Sequence, residues 1–337
     1  IFIDGKKYLN LSSNNYLGIA TGNITAKVSK EYEFSGSSSR LLAGNTHIYE
    51  ELENEIAKLY NRESCLVFNS GYNANTGIIS ALFKKGDVIF SDKLNHASII
   101  DGIKLSGAEF FRYKHLDYLN LEELLQKNRG KYKRAVIISE SVFSVDGDTA
   151  DLQKLVELKN KYDCFLMIDE AHAVGVFGDK GCGICETTNT IKEIDIIVGT
   201  FGKALASFGA FAVCDAIIRN YLINKSRPFI YTTALPPANI SHTLQIIKSL
   251  PDLTDKRKHL AELSTLLRKE FEGLGFKNLG NSQIIPVILG ENDIALGTAQ
   301  KLQDEGFFLL PIRHPTVPKG TARIRISLNA ELEWSDI

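Results

Sequence analysis

The feature that most constrains this chain is a repeated alternation between residues 65 and 213. Short apolar runs at 65–68, 88–91, 110–113, 135–140, 164–168, 194–198 and 208–213 read as strands. Between the earlier ones lie the amphipathic stretches 72–83, 97–105, 119–128 and 152–162, which read as helices. A strand that returns to a parallel neighbour needs a crossover, and a helix is the usual one, so the alternation predicts a layered α/β domain with a mostly parallel sheet. Such strands are covered on both faces, which suits runs that are apolar throughout rather than at every second position.

Two of these runs end in polar residues. The run 164–168 stops at Asp169-Glu170-Ala171-His172, and 194–198 stops at Gly199-Thr200-Phe201-Gly202-Lys203. Open α/β sheets bind ligands outside the carboxyl ends of their strands. A lone lysine there is ordinarily a solvated charge. An acid and a histidine three residues apart on one strand end, with a lysine on the next, suit a pyridine cofactor: the carboxylate pairs with the ring nitrogen and the amine takes an aldehyde as a Schiff base. The constellation therefore points to pyridoxal 5'-phosphate, with Lys203 as its centre.

Other strand–helix junctions fit that reading. Residues 69–75, Asn-Ser-Gly71-Tyr72-Asn-Ala-Asn, would aim backbone N–H groups and a helix dipole at a phosphate. His96 opens another helix, as a surface cap or stacked on a cofactor ring. Ser144, in a turn after the 135–140 strand, can reach a cofactor oxygen. The nearby Asp146-Gly147-Asp148 lacks the register of a calcium loop, so we expect a turn there and no metal. No G-x-G-x-x-G occurs, which disfavours a dinucleotide. Arg313, Arg323 and Arg325 come late in the chain. Arg323 and Arg325, two apart on an expected strand, share a face and suit a carboxylate, or salt bridges at the surface.

Length and composition set the frame. The 337 residues, 44% hydrophobic, can bury a large core and suggest about two domains. A net charge of −1 implies no bulk attraction to nucleic acid or anionic membrane. No apolar stretch approaches the roughly 20 residues of a membrane helix. Five scattered cysteines favour a reducing, cytoplasmic setting. Cys182-Gly-Ile-Cys185 sits in a Gly-rich run with no second pair for zinc, and we expect loop cysteines. The chain has no initiating Met, and we expect a natural N-terminus ahead of Ile1.

The first residues, around Asp4-Gly5, predict a hairpin, because Asp-Gly favours a type I′ turn. Asn14 lies in a polar loop. Ser35 to Arg40 is a flexible loop feeding a helix marked by Ile48, Leu52, Ile56 and Leu59, which Asn45 or Thr46 would cap. After Pro236-Pro237 the texture changes to helices at 238–250, 253–271 and 293–305 and strands at 284–289, 307–311 and 323–328. We expect an N-terminal arm over 1–25, a large cofactor-binding domain over 26–235 and a small α+β domain over 236–337.

Four segments together carry a resemblance: Thr200-Phe-Gly-Lys203-Ala-Leu, Asp169-Glu-Ala-His172, Ser144-Val-Asp-Gly-Asp, and Pro315-Thr316-Val-Pro-Lys-Gly-Thr-Ala-Arg323-Ile-Arg325. The chain resembles the α-oxoamine synthases over residues 9–328. These are fold-type I pyridoxal-phosphate enzymes that condense an amino acid with an acyl thioester and lose CO2. The resemblance implies that Lys203 is the Schiff-base lysine and proton carrier. It implies that Asp169 pairs with the ring nitrogen, that His172 bonds the ring hydroxyl and that His96 stacks on the ring. Gly71, Tyr72, Ser144 and Thr200 would help hold the cofactor; Asn14 and Arg325 would hold the substrate carboxylate, and Thr316 would touch the substrate. It also implies a homodimer in which Thr232 and Thr233 reach the partner's phosphate. Phe201 and the 312–318 run are similar to the members that join L-alanine to a pimeloyl thioester, of CoA or an acyl-carrier protein. Ala206 departs from the family, which commonly has glycine there.

Overall fold

The computed structural model describes residues 1–20, 32–277 and 279–337. They form two compact units: Ile19–Val142 with Ala150–Thr254, and Ile1–Gly18 with Phe143–Thr149 and Asp255–Ile337. The chain opens with β1 (Phe2–Ile3) and β2 (Lys6–Lys7), paired antiparallel through Asp4 (φ 49°) and Gly5 (φ 81°), the two positive angles of the expected turn. Next comes β3 (Leu9–Asn10).

The larger unit is built on the expected sheet. Its strands are β4 (Ser64–Phe68), β5 (Val88–Asp92), β6 (Glu109–Tyr113), β7 (Ala135–Glu140), β8 (Phe165–Asp169), β9 (Ile196–Thr200) and β10 (Ala210–Cys214). They lie in the order β4-β10-β9-β8-β7-β5-β6, and only β10 runs against its neighbours. The helices are α1 (His47–Leu59), α2 (Gly71–Leu82), α3 (Ala97–Ser106), α4 (Tyr118–Asn128), α5 (Leu152–Lys161), the single turns α6 (Ile184–Thr187) and α8 (Arg227–Ile230), α7 (Ala216–Lys225) and α9 (Pro237–Ser249).

Ile78, Ile79, Ile99 and Ile103 of α2 and α3 pack against Ile89, Val136, Ile138, Met167 and Val198. Each such buried aliphatic side chain contributes about 1.5–3 kcal/mol of transfer free energy. From β5 the chain crosses outward to β6, then returns to β7 and moves the other way through β8 and β9. That reversal opens a crevice at the carboxyl ends of β5 and β7.

The smaller unit holds α10, most of Thr254–Gly273, and α11 (Asn292–Asp304). Its sheet strands are β11 (Ile284–Gly290), β12 (Phe307–Phe308), β13 (Pro311–Ile312) and β14 (Ala322–Ser327). β11, β14 and β13 form an antiparallel sheet, while β12 pairs parallel with β3. The expected strand 307–311 is thus two, because Leu310 N donates to Ser12 Oγ (3.1 Å) and the chain changes partner there.

The expected domain limits fall elsewhere. Residues 1–18 join the C-terminal unit through β3. The segment Phe143–Thr149 does too, through an Arg323–Asp146 ion pair and Asn281 N to Gly147 O (3.1 Å). α9 packs on α1 and so stays with the larger unit, which runs to Thr254. The limit expected at residue 25 lies outside the described residues. Thr46 is the N-cap of α1 but makes no side-chain cap bond, and Asn45 Oδ1 accepts from Arg40 instead.

Candidate active site

The carboxyl ends of β4, β5, β7, β8 and β9 surround a cavity of about 250 Å³ within the larger unit. β8 and β9 are parallel neighbours with Asp169 opposite Val198, so the loop bearing Lys203 leaves the sheet beside Asp169. Asp169 is 5% exposed and holds one donor on each oxygen: Asn75 Nδ2 at 2.7 Å and Ala171 N at 2.9 Å. Asn75 also donates to Ser98 Oγ (3.0 Å), and its own Oδ1 is buried without a partner.

α2 begins at the cavity. Ser70 is its N-cap, accepting from Asn73 N (3.1 Å), so the free N–H groups of the first turn point outward beside Gly71 and Tyr72. A Cβ on Gly71 would lie 2.7 Å from Thr200 Cγ2, so glycine keeps this cradle open. Tyr72 donates its hydroxyl to Asp101. His96 is the N-cap of α3, its Nδ1 2.8 Å from Ser98 Oγ. Partial burial lowers the His96 pKa below the ordinary imidazole value; Asp169 opposes this and Lys203 adds to it. The lysine loop is tightened by Ala206 N to Lys203 O (3.0 Å) and Ser207 N to Phe201 O (2.8 Å). Ala206 holds φ at 45°, the left-handed region that glycine takes at no steric cost.

Seven of the expected residues line the cavity: Gly71, Tyr72, His96, Asp169, His172, Thr200 and Lys203. Thr232 and Thr233 follow α8 on the same unit, where Thr233 bridges to Ser39 and its carbonyl accepts Asn69 Nδ2 (2.7 Å). Asn14, Ser144, Thr316 and Arg325 belong to the smaller unit. There Arg325 Nη2 donates to Asn14 Oδ1 and to Tyr16 Oη, both at 3.1 Å. Burial pushes the Tyr16 phenol up to about 12 despite that guanidinium. Arg323 is committed to Asp146, and Thr316 is exposed in a turn.

Sequence reasoning missed Glu140, Asn75 and Ser98, which also line the cavity. Glu140 had a readable signal. It is a carboxylate on the last residue of a strand, as Asp169 is, and the two are register partners across β7 and β8.

The set fits pyridoxal phosphate: an anion cradle at a helix start, an amine, and a carboxylate whose hydrogen bonds leave it facing the cavity. The aminotransferase class I and II family model matches residues 6–337. The chain belongs to that family. A Glaesserella parasuis protein provisionally named 8-amino-7-oxononanoate synthase is 53% identical over 98% of this chain and 88% of its own length. An 8-amino-7-oxononanoate synthase structure from Francisella tularensis is 32% identical, with a TM-score of 0.84 over 97% of this chain and 94% of that one. A serine palmitoyltransferase variant from S. paucimobilis, solved with PLP and myriocin bound, is 30% identical, with a TM-score of 0.94 over 99% and 85%. The protein is a fold-type I enzyme, an acyltransferase of the α-oxoamine synthase group, and its cofactor is pyridoxal phosphate. No helix among the described residues is long and apolar enough to cross a membrane.

Proposed function

We propose that the enzyme condenses L-alanine with a pimeloyl thioester, of CoA or an acyl-carrier protein, giving 8-amino-7-oxononanoate, free thiol and CO2 for biotin synthesis. The observation that carries this is the convergence of Lys203, Asp169, His172 and His96 on one cavity, in a chain 53% identical to a relative given that name. When bound, pyridoxal phosphate supplies an aldehyde for amines and a ring that accepts the electron pair left at the amino acid's α-carbon.

The chain's own residues do the rest. Lys203 supplies the amine for that aldehyde and carries the proton to and from the substrate α-carbon. Asp169, fixed by Asn75 and Ala171, sets its charge toward the ring nitrogen. His172 would serve the ring hydroxyl, and His96 would cover the ring face. Gly71 and Tyr72 at the α2 start, with Thr200 and Ser144, hold the cofactor. Asn14 and Arg325 take the alanine carboxylate, and Thr316 touches the substrate. Arg325 Nε is buried without a partner, which leaves a donor for that role.

Two copies act together, with Thr232 and Thr233 serving the partner's phosphate. Leu42 (83% exposed) and Tyr231 (71% exposed), beside the Ser39–Thr233 bridge, support such pairing. All five cysteines are buried and unpaired, which supports a cytoplasmic setting.

A second reading is a serine- or glycine-using member of the group, favoured by the backbone match to serine palmitoyltransferase. Thiol release from alanine, glycine and serine, each crossed with pimeloyl-, acetyl-, succinyl- and palmitoyl-CoA, separates the two. Release confined to alanine with the pimeloyl thioester is expected. Preference for serine with palmitoyl-CoA overturns the proposal in favour of the second reading.

A further inference from the structure

Glu140 ends β7, is 3% exposed and lines the cavity. Its Oε1 accepts the backbone N–H of His96 at 2.5 Å, across from β7 to the start of α3. His96 in turn caps α3, with its Nδ1 accepting Ser98 N–H at 3.3 Å. One carboxyl oxygen therefore ties the β5–α3 crossover, and the imidazole it carries, to the centre of the sheet.

We propose that Glu140 is a positioning residue of this enzyme, holding His96 in place over the cofactor site through that hydrogen bond. This rests on the reading of the cavity as the pyridoxal-phosphate site. Nothing in the bond requires a charge on Glu140. Burial first, then Asp169 on β8, hold its pKa well above the ordinary carboxylate value; Lys203 after β9 and the His96 N–H oppose this, and Asp92 on β5 adds to it. A glutamine keeps both the shape of Glu140 and the acceptor that its hydrogen bond to His96 needs. The sign of the pH effect follows. With the folded pKa above the unfolded one, stability is fully present at low pH and is lost as pH rises from the ordinary carboxylate range through the folded pKa. A glutamine has no such loss.

The test compares wild type, Glu140→Gln and Glu140→Ala. Stripped of cofactor, each is melted from acid to alkaline pH, and each is titrated with pyridoxal phosphate by absorbance. We expect the melting temperature of Glu140→Gln to exceed that of wild type by a margin that widens as pH rises. Glu140→Ala should bind pyridoxal phosphate about tenfold more weakly, the worth of one buried hydrogen bond, and Glu140→Gln should recover most of that loss. Alanine and wild type binding alike would overturn the proposal, as would a glutamine variant as impaired as the alanine one. If Glu140→Ala does not fold, the affinity and pH profile of Glu140→Gln decide. Wild type failing to bind pyridoxal phosphate would instead sink the reading of the cavity.

Discussion

Asp169 and Glu170 are consecutive carboxylates at the end of β8, and their surroundings are opposite. Asp169 has one donor on each oxygen and lines the cavity. Glu170 is fully buried and accepts from Ser141 Oγ, Ile184 N (3.1 Å) and Cys185 N (2.7 Å), the last two at the start of α6. Even the glycine beside it is fitted to it: a Cβ on Gly183 (φ 99°) would lie 2.5 Å from Glu170 Oε2. Burial raises the Glu170 pKa against those donors. Neighbouring residues at a strand end point to opposite sides, so one acid meets the cavity and its neighbour meets the Gly-rich loop. A buried carboxylate whose donors come mainly from a loop's backbone holds that loop. One that keeps a face toward a cavity is available to a ligand.

Two substitutions sharpen or break that comparison. Asp169→Asn removes the charge and keeps the shape, so kcat in the thiol-release assay should fall about a hundredfold or more, as for a lost electrostatic group in a reacting site. Its urea midpoint should fall only slightly, because the amide oxygen still accepts one of the two donors. The smaller effect is on folding. Glu170→Ala strands three buried donors and should cost about 3 kcal/mol of unfolding free energy in urea, with turnover per bound cofactor retained. If Asp169→Asn unfolds the protein while Glu170→Ala abolishes turnover, the two acids have been assigned the wrong way round.

The sheet was legible because its strands are apolar throughout, as strands covered on both faces must be. The trio Lys203, Asp169 and His172 was legible because each stands just past such a run. α7 was not, since its apolar residues Ile217 and Tyr221 are exposed while Leu222 is buried, which gives no clean stripe. Glu140 escaped notice because an acid that closes the 135–140 strand has no visible partner until β7 and β8 are set in register. The grouping of 143–149 with the C-terminal unit rests on long-range contacts, such as Arg323 with Asp146, that no local pattern encodes. The lysine loop shows the limit from the other side. Ala206 stands out in the sequence, but only its backbone angle shows that it occupies a glycine conformation.

The central claim is that Lys203 takes the cofactor's aldehyde in this cavity. Wild type loaded with pyridoxal phosphate should be reduced with borohydride, digested and mapped by mass spectrometry. The account predicts a pyridoxyl mass on the peptide containing Lys203, absent from Lys203→Ala. A label on a different lysine, or unchanged labelling in the variant, would contradict it.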